Sequence, residues 1–287
     1  MLHIISLELA ASLSVAYTLL YVAVLYLHPS SRPTRLISKD HPTVIKTRIA
    51  AVSFASAVCA ACTVYIGMGA HDSLVSAAKR ILGLTMKPQE VVWSLALTAT
   101  LFAGPLFEYF VADRGWMDFP RDIVHGLFAW TGVRNYIAGP ATEEFVFRAC
   151  IIPLHFYASV KPGYIVFITP LYFGLAHVHH IYERTRQNPG QLAQACLVSF
   201  VQFTYTSIFG WYASFIFMRT GSLLACIAVH SFCNIMGLPR VTGRVRGALW
   251  KSVAYYVLLV AGLLLFTVQI DDWTRSATGY EPYALRR

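Results

Sequence analysis

The sequence predicts an all-α integral membrane protein, a polytopic bundle of about eight transmembrane helices. Of its 287 residues, 56% are hydrophobic and only 13% are charged, and the mean hydropathy is +0.55. A soluble domain carries roughly 25% charged residues. Long segments without Asp, Glu, Lys or Arg recur along the chain, and most reach the roughly 20 residues that a helix needs to cross a bilayer. Residues 1–287 are therefore expected to form a single membrane domain.

The apolar segments, taken in chain order, are predicted to be eight helices. They extend over about 7–27, 48–70, 90–110, 140–160, 164–182, 191–218, 222–238 and 252–270. The fourth segment is long enough to span only if it includes the charged residues at its start, so these charges are expected inside the membrane fold. The first segment is too long for a cleaved signal peptide and lacks a basic start, so we expect it to remain as an anchor.

The segment 113–139, just before the fourth helix, has a different pattern. Its apolar residues recur at helical spacing with charges between them: Phe119, Ile123, Leu127, Trp130 and Val133. This pattern predicts an interfacial amphipathic helix that lies on the cytosolic face and precedes the fourth helix.

The formal net charge of +9 is concentrated in two loops. The first loop, 32–48, carries five basic residues against Asp40, and the second, 240–251, carries four basic residues and no acid. Such loops face the cytosol in membrane proteins. Six predicted segments separate the two loops, an even number, so both fall on the same side. The charge therefore indicates membrane topology and contact with anionic lipid, and no nucleic-acid partner is expected.

The charged stretch 139–148 opens the fourth segment. Pro140 suits the first turn of a helix, and acidic residues suit its positive N-terminal end. Residues four apart share a helix face, so Glu144 is expected to neutralise Arg148 as a buried ion pair. Glu143 is then left unpaired on a different face. Ionisable groups inside a membrane are functional candidates.

Three further polar residues are predicted at the same depth as Glu143. His177 lies near the cytosolic end of the fifth segment, and His230 and Asn234 share one face of the seventh. Each alone could be an interhelical hydrogen-bonding group. Together they suit amide hydrolysis: a glutamate as base, a histidine that passes a proton to the leaving amine, and two oxyanion donors worth about 3–4 kcal/mol each. In contrast, His179, His180 and Glu183 are expected to be ordinary polar residues near the interface.

The same residues resemble the motifs of the type II CAAX prenyl endopeptidases. In the order and spacing of that family, they read Glu143-Glu144-Phe145-Val146-Phe147-Arg148, Phe173-Gly174-Leu175-Ala176-His177 and His230-Ser231-Phe232-Cys233-Asn234. The resemblance covers about 134–239, the expected catalytic core, and the strings around the motifs look like the eukaryotic branch. No motif position departs from the pattern.

The resemblance implies an intramembrane protease of the endoplasmic reticulum that removes the last three residues of prenylated proteins ending in Cys-aliphatic-aliphatic-X. Carried over by motif, Glu143 and His177 would activate water, and His230 and Asn234 would stabilise the oxyanion. The supporting residues would be Glu144, Arg148 and Phe173. The implied partners are farnesylated or geranylgeranylated proteins such as small GTPases, which reach the site from the cytosol. No metal or other cofactor is implied.

Alternative functions follow from the same residues. Glu143, His177 and His230 could supply the ligands of a zinc protease. The polar set could also be structural in a membrane scaffold or binding protein without enzymatic activity. A transporter is disfavoured because the polar residues are confined to one leaflet. The choice of base between Glu143 and Glu144 stays open on geometry, because adjacent residues point about 100° apart and only one can face His177; the family resemblance favours Glu143.

Overall fold

The computed structural model describes residues 5–32, 37–118, 126–188, 190–277 and 279, which contain helices and turns but no strand. The first five helices are α1 (Leu7–Leu27), α2 (Pro42–Gly67), α3 (Leu74–Ile81), α4 (Pro88–Leu101) and α5 (Ala103–Phe107, continued by a π-helical turn, Glu108–Ala112). Helix α6 is an unbroken series of α-helical and π-helical stretches, Trp130–Gly132, Val133–Ala138, Gly139–Glu144, Phe145–Cys150 and Ile151–Tyr157. The remaining helices are α7 (Pro162–Ala176), α8 (His180–Gln187), α9 (Leu192–Thr220), α10 (Leu223–Met236) and α11 (Leu249–Trp273). The predicted all-α class is confirmed.

Five of the described helices are long and apolar enough to cross a membrane: α1, α2, α7 joined to α8, α9 and α11. A sixth is gained if α4 and α5 are counted as one span with an 82° bend. Helix α10 has only 14 residues. The chain is therefore a multi-pass helical membrane protein, while the count of eight spans stays a prediction.

Contacts between helix ends define the two ends of the bundle. At one, here called the basic end, Arg134 pairs with Asp40 at 2.8 Å and Asn234 donates to the backbone of Asn135 at 2.9 Å. At the opposite end, Leu223 donates its backbone N–H to the carbonyl oxygen of Gly83 at 3.0 Å. Successive helical passages run alternately between these ends. The described parts of both basic loops lie at the basic end, as the charge pattern predicts.

The bend between α4 and α5 follows from Pro105, which has no N–H to donate and whose ring crowds the preceding turn. Helix α11 crosses α4 closely at Gly262, where a Cβ atom would lie 1.9 Å from the carbonyl oxygen of Thr100. Small residues at a crossing allow two membrane helices to approach backbone to backbone. The bent pair and α11 thus pack together beside α10, which carries two of the predicted site residues.

Helix α6 starts earlier than predicted. It begins at Trp130 instead of Pro140, and the residue before it, Ala129, is extended with ψ 144°. Pro140 does lie in the first turn of an α-helical stretch, but a π-helical turn precedes it, in which Gly139 donates its N–H to Arg134. Of the predicted amphipathic helix, 119–125 lie outside the described residues, and the extended Ala129 interrupts the rest. That helix therefore stays a prediction.

The second half of α6 forms the centre of the molecule. All residues from Val146 to Leu154 are buried, including Arg148. Helices α1, α2, α7, α9 and α10 pack around it. The segment 72–90, expected to be a loop, contains the additional helix α3, whose N-terminus is capped by the Ser73 hydroxyl. A central helix surrounded by others explains how ionised groups can be held away from lipid.

Candidate active site

Glu144 is the centre of a fully buried ionic group. Its Oε1 atom accepts hydrogen bonds from Nη1 of Arg148 at 3.0 Å and from Nδ1 of His230 at 2.7 Å. Neither the Glu144 nor the Arg148 side chain has any exposed surface. The predicted ion pair between Glu144 and Arg148 is therefore present. The bond from His230 links α6 to α10 and was not predicted.

Aromatic rings and one glycine enclose Arg148. Its guanidinium carbon lies 4.6 Å from the ring centre of Phe173 and 5.6 Å from that of Phe209. A Cβ atom at Gly210 would lie 2.6 Å from Cβ of Pro170 on α7 and 3.2 Å from Nη2 of Arg148, so the absence of a side chain here lets α9 pack closely against α7 and the guanidinium. Cation–π contact stabilises a cation that is removed from water. Phe173 thus supports the site as predicted from its motif, whereas Phe209 and Gly210 carry no signal in the sequence.

Glu143 has a different environment from its neighbour. Its side chain is 23% exposed, and its Oε2 atom lies 3.6 Å from Nε2 of His230. This separation is too long for a direct hydrogen bond. No arginine pairs with Glu143 among the described residues. His230 therefore stands between a buried, neutralised carboxylate and a second one that remains accessible.

His177 begins the short 3-10 turn His177–His179 between α7 and α8. Its Nδ1 atom lies 2.8 Å from the carbonyl oxygen of Phe173. A carbonyl can only accept, so Nδ1 carries the proton and Nε2 is left as an acceptor. The ring centre of Phe173 lies 4.7 Å from that of His177 and 6.1 Å from that of His230. Within the described residues, no hydrogen bond joins His177 directly to Glu143.

Asn234 lies one turn after His230 on α10. Its amide nitrogen donates to the backbone oxygen of Asn135 on α6 at 2.9 Å, which fixes the amide at the basic end. The Asn135 side chain in turn accepts a hydrogen bond from Nε of Arg134 at 2.9 Å. Asn234 has a second amide N–H that can serve an incoming group. Neither Arg134 nor Asn135 was singled out by the sequence as a site residue.

The cluster His179, His180 and Glu183 also has metal-ligand geometry, with one ligand atom from each residue within 4.8 Å of the others. Glu183 is buried, which contradicts its expected place as an ordinary interfacial residue. It accepts hydrogen bonds from Arg48 at 2.6 Å and from the Tyr26 hydroxyl at 3.0 Å. A guanidinium already neutralises this carboxylate, so the cluster ties α8 to α1 and α2.

The zinc alternative requires Glu143, His177 and His230 to converge. Within the part of the chain that the structure describes, these three do not form a group with ligand atoms within that distance. Zinc ligands surround the ion at about 2 Å, so their donor atoms must lie close together. Side chains would have to move before these residues could bind a metal together.

Comparisons with known proteins agree with the motifs. Residues 125–236 match the family model described as type II CAAX prenyl endopeptidase Rce1-like. The chain is 37% identical over 257 residues to the probable CAAX prenyl protease 2 of Schizosaccharomyces pombe, covering 88% of this chain and 90% of that protein. It is 33% identical over 268 residues to CAAX prenyl protease 2 of Homo sapiens, covering 87% and 77% respectively. No solved structure matches the chain.

Proposed function

Because this chain belongs to the type II CAAX prenyl endopeptidases, we propose that it removes the C-terminal tripeptide from prenylated proteins by attack of an activated water. The observation that carries this mechanism is the unequal environment of two adjacent glutamates. Glu144 is buried and tied to Arg148 and His230, whereas Glu143 is partly exposed and has a 3.6 Å gap to His230. Glu143 is therefore the carboxylate that can hold and deprotonate a water.

Glu143 accepts one proton as the water oxygen attacks the scissile carbonyl. That proton passes on to Nε2 of His177, the nitrogen that its bond to Phe173 leaves free, and from there to the leaving amine as the C–N bond breaks. The second proton of the water is lost from the new carboxylic acid to the released amine, so both side chains return to their starting state. Water has been added across the peptide bond, and the products are a prenylated cysteine carboxylate and a free tripeptide.

The oxyanion is stabilised from α10. His230 donates through Nδ1 to Glu144, and its Nε2 lies on the side of Glu143. In the role that we assign to it, the imidazole donates an Nε2–H to the oxyanion while its Nδ1–H stays bonded to Glu144. Asn234 supplies a second donor from the next turn of the helix. Each such donor contributes about 3–4 kcal/mol to transition-state stabilisation.

The membrane position suits a substrate with a lipid tail. An isoprenoid enters sideways from the bilayer between helices, while the peptide approaches from the basic end, which we assign to the cytosolic face of the endoplasmic reticulum. The substrates are farnesylated or geranylgeranylated proteins ending in Cys-aliphatic-aliphatic-X, including small GTPases. Anionic lipid headgroups contact the basic loops, since surface lysines and arginines are attracted to them.

The mechanism is tested with the purified full chain in lipid nanodiscs and a farnesylated peptide of this type. Glu143→Gln and His177→Ala should abolish release of the tripeptide while the thermal unfolding temperature stays close to that of the wild type. Glu108→Gln, which alters another partly exposed carboxylate, is the matched control and should remain active. Turnover by the folded Glu143→Gln variant would contradict the assignment.

A chelator distinguishes the zinc alternative. We expect metal-depleted protein to retain full activity in the presence of a chelator. Activity that is lost on depletion and restored by zinc would instead favour a metalloprotease. A wild-type protein that binds the peptide without cleaving it under either condition would favour a scaffold or binding protein.

A further inference from the structure

We propose that Arg134 forms the binding subsite for the free C-terminal carboxylate of the substrate. The proposal rests on the proposed function, because release of a tripeptide places a carboxylate three residues beyond the scissile bond. A buried peptide terminus needs a cation to replace its hydration. Arg134 is the basic residue that the structure connects to the oxyanion donor Asn234.

The bonds through Asn135 limit the distance between Arg134 and Asn234. Asn234 donates to the backbone oxygen of Asn135 at 2.9 Å, and Arg134 Nε donates to the side-chain oxygen of Asn135 at 2.9 Å. The two oxygens of one asparagine lie no more than about 5 Å apart, so Nε of Arg134 is within about 11 Å of the Asn234 amide. Three extended residues span about 10 Å. A tripeptide bound with its scissile carbonyl at Asn234 therefore has the length needed to reach Arg134.

The guanidinium retains unused hydrogen-bonding capacity. Nε is taken by Asn135, and Nη1 donates to the carboxylate of Asp40 at 2.8 Å and to the backbone oxygen of Lys39 at 3.3 Å. Nη2 donates to no group among the described residues. The side chain is 27% exposed, so an incoming carboxylate can reach this edge. Charge-assisted hydrogen bonds from arginine to carboxylate are among the strongest in proteins.

The surroundings hold the guanidinium in place before substrate arrives. Asp40 and Lys39 fix it from the loop before α2, and Asn135 fixes it from α6 itself. Little side-chain entropy is therefore lost on binding. Lys46 on α2 lies 4.4 Å from the ring centre of Trp130, which is one helical turn before Arg134 on α6. Lys46 therefore adds a second cation near the proposed subsite. Asp40 is half exposed and neutralises only part of this positive charge.

The subsite also fits the release of three residues. Asn234 and Arg134 lie no more than about 11 Å apart, so a C-terminal carboxylate three extended residues beyond the scissile bond can reach Arg134, while a longer extended segment would pass it. A substrate whose C-terminus is amidated, or extended by further residues, cannot form the ion pair with Arg134. Discrimination between a free acid and an amide is therefore the property that Arg134 controls.

The test compares two farnesylated tetrapeptides of the same sequence, one with a free C-terminal carboxylate and one with a C-terminal amide. Wild-type protein should cleave the acid with a kcat/KM about 10- to 100-fold higher, mainly through a lower KM. Arg134→Gln should reduce kcat/KM for the acid to the level of the amide, so that the preference for the acid is lost. Arg134→Lys should recover part of the preference, since it restores charge without the planar donor set.

Arg240 provides the matched control, because it forms a comparable exposed ion pair with Glu108 at 3.2 Å. Arg240→Gln should preserve the preference for the acid. Equal losses with both peptides in Arg134→Gln or Arg134→Lys would assign Arg134 a structural role and overturn the proposal. Robust cleavage of acid and amide alike by the wild type would overturn it too, while leaving the protease function intact. Failure of the wild type to cleave either peptide would instead refute the proposed function itself.

Discussion

Nδ1 of His230 lies 2.7 Å from Oε1 of Glu144, the same oxygen that accepts a hydrogen bond from Arg148 at 3.0 Å. One buried carboxylate oxygen thus joins a structural ion pair within α6 to a proposed catalytic imidazole on α10. Removing Arg148 or His230 therefore takes away one of the two side chains that bond to the Glu144 carboxylate and changes the environment of the other. Stability and activity are therefore coupled at Glu144 and separable at Glu143.

Loss of the Arg148 guanidinium should destabilise the fold. Arg148→Met leaves the fully buried Glu144 carboxylate with His230 as its one remaining partner among the described residues, and breaking a buried pair costs about 3–5 kcal/mol. We expect a marked fall in the thermal unfolding temperature in nanodiscs. Arg148→Lys should also be destabilised, since an ammonium reproduces the charge but not the planar contact with Phe173.

The double variant Arg148→Met with Glu144→Gln supplies the control for charge. It buries no unpaired carboxylate, so part of the lost stability should return while activity stays low. Arg275→Met, which removes an exposed cation, should leave the unfolding temperature nearly unchanged. A single Arg148→Met variant as stable as wild type would show that the ion pair is not needed to hold Glu144.

Truncation of Asn234 should affect chemistry and not binding. Asn234→Ala removes a donor that acts on the oxyanion, so kcat should fall about 100- to 1,000-fold with little change in KM. Single-turnover measurements with the farnesylated peptide separate these terms. Ser231→Ala is the control on the same helix, because its hydroxyl donates to the backbone of Ile227 at 2.9 Å, within α10 itself. An increase in KM with an unchanged kcat would assign Asn234 to substrate binding instead.

The parts of the site that the sequence predicts are those determined within one helix. Glu144 and Arg148 are four residues apart, so helix geometry alone brings them together, and the same holds for Phe173 and His177. The bond between His230 and Glu144 depends on how α10 is rotated against α6. The spacing of residues within either segment does not reveal that rotation. The contact of Asn234 with Asn135 was not predictable for the same reason.

The same limit applies to the fold: features set within one segment were predictable, and features set between segments were not. Apolar length identifies most of the helices, because the bilayer imposes it. The π-helical turns that shift the register of α6 around Pro140 and the bend before Pro105 depend on local backbone energetics and neighbouring helices. The burial of Glu183 was missed because its partner, Arg48, is 135 residues away. Hydropathy cannot distinguish a charged residue at the interface from one neutralised across three helices.

The turn at Gly69–Asp72 should loosen at low pH. The Asp72 carboxylate accepts hydrogen bonds from the Gly69 N–H at 3.0 Å and from Arg80. The Gly69 bond foremost, and Arg80 after it, hold the pKa of Asp72 below its ordinary value. A lowered carboxyl pKa stabilises the folded form above the ordinary value, and this contribution is lost as the pH falls through the folded pKa.

Hydrogen exchange of the Gly69 amide measures this effect. Protection should decrease as the pH is lowered into the acid range, after correction for intrinsic exchange. Asp72→Asn should show weaker protection at neutral pH and no acid transition. A transition of the same size in the Asn variant would mean that another group is responsible.

The network around Glu183 should position His177. Glu183 accepts hydrogen bonds from Arg48 on α2, Tyr26 on α1 and Nδ1 of His180. It lies in the first turn of α8, the helix that follows directly on the 3-10 turn beginning at His177. Arg48→Met leaves this buried carboxylate without its guanidinium, so a fall in stability of about 3–5 kcal/mol is expected. Since α8 loses its ion pair with α2, the turn is held less firmly and kcat should fall as well.

A double variant separates stability from positioning. Arg48→Met with Glu183→Gln removes the unpaired charge, so the unfolding temperature should recover. The ion pair between α8 and α2 is still absent, so kcat should stay low with KM nearly unchanged. Arg186→Gln, an exposed arginine on the same helix as Glu183, is the control and should retain wild-type kcat. If the double variant regains full kcat together with its stability, the network only stabilises the fold, and His177 is positioned by its bond to Phe173 alone.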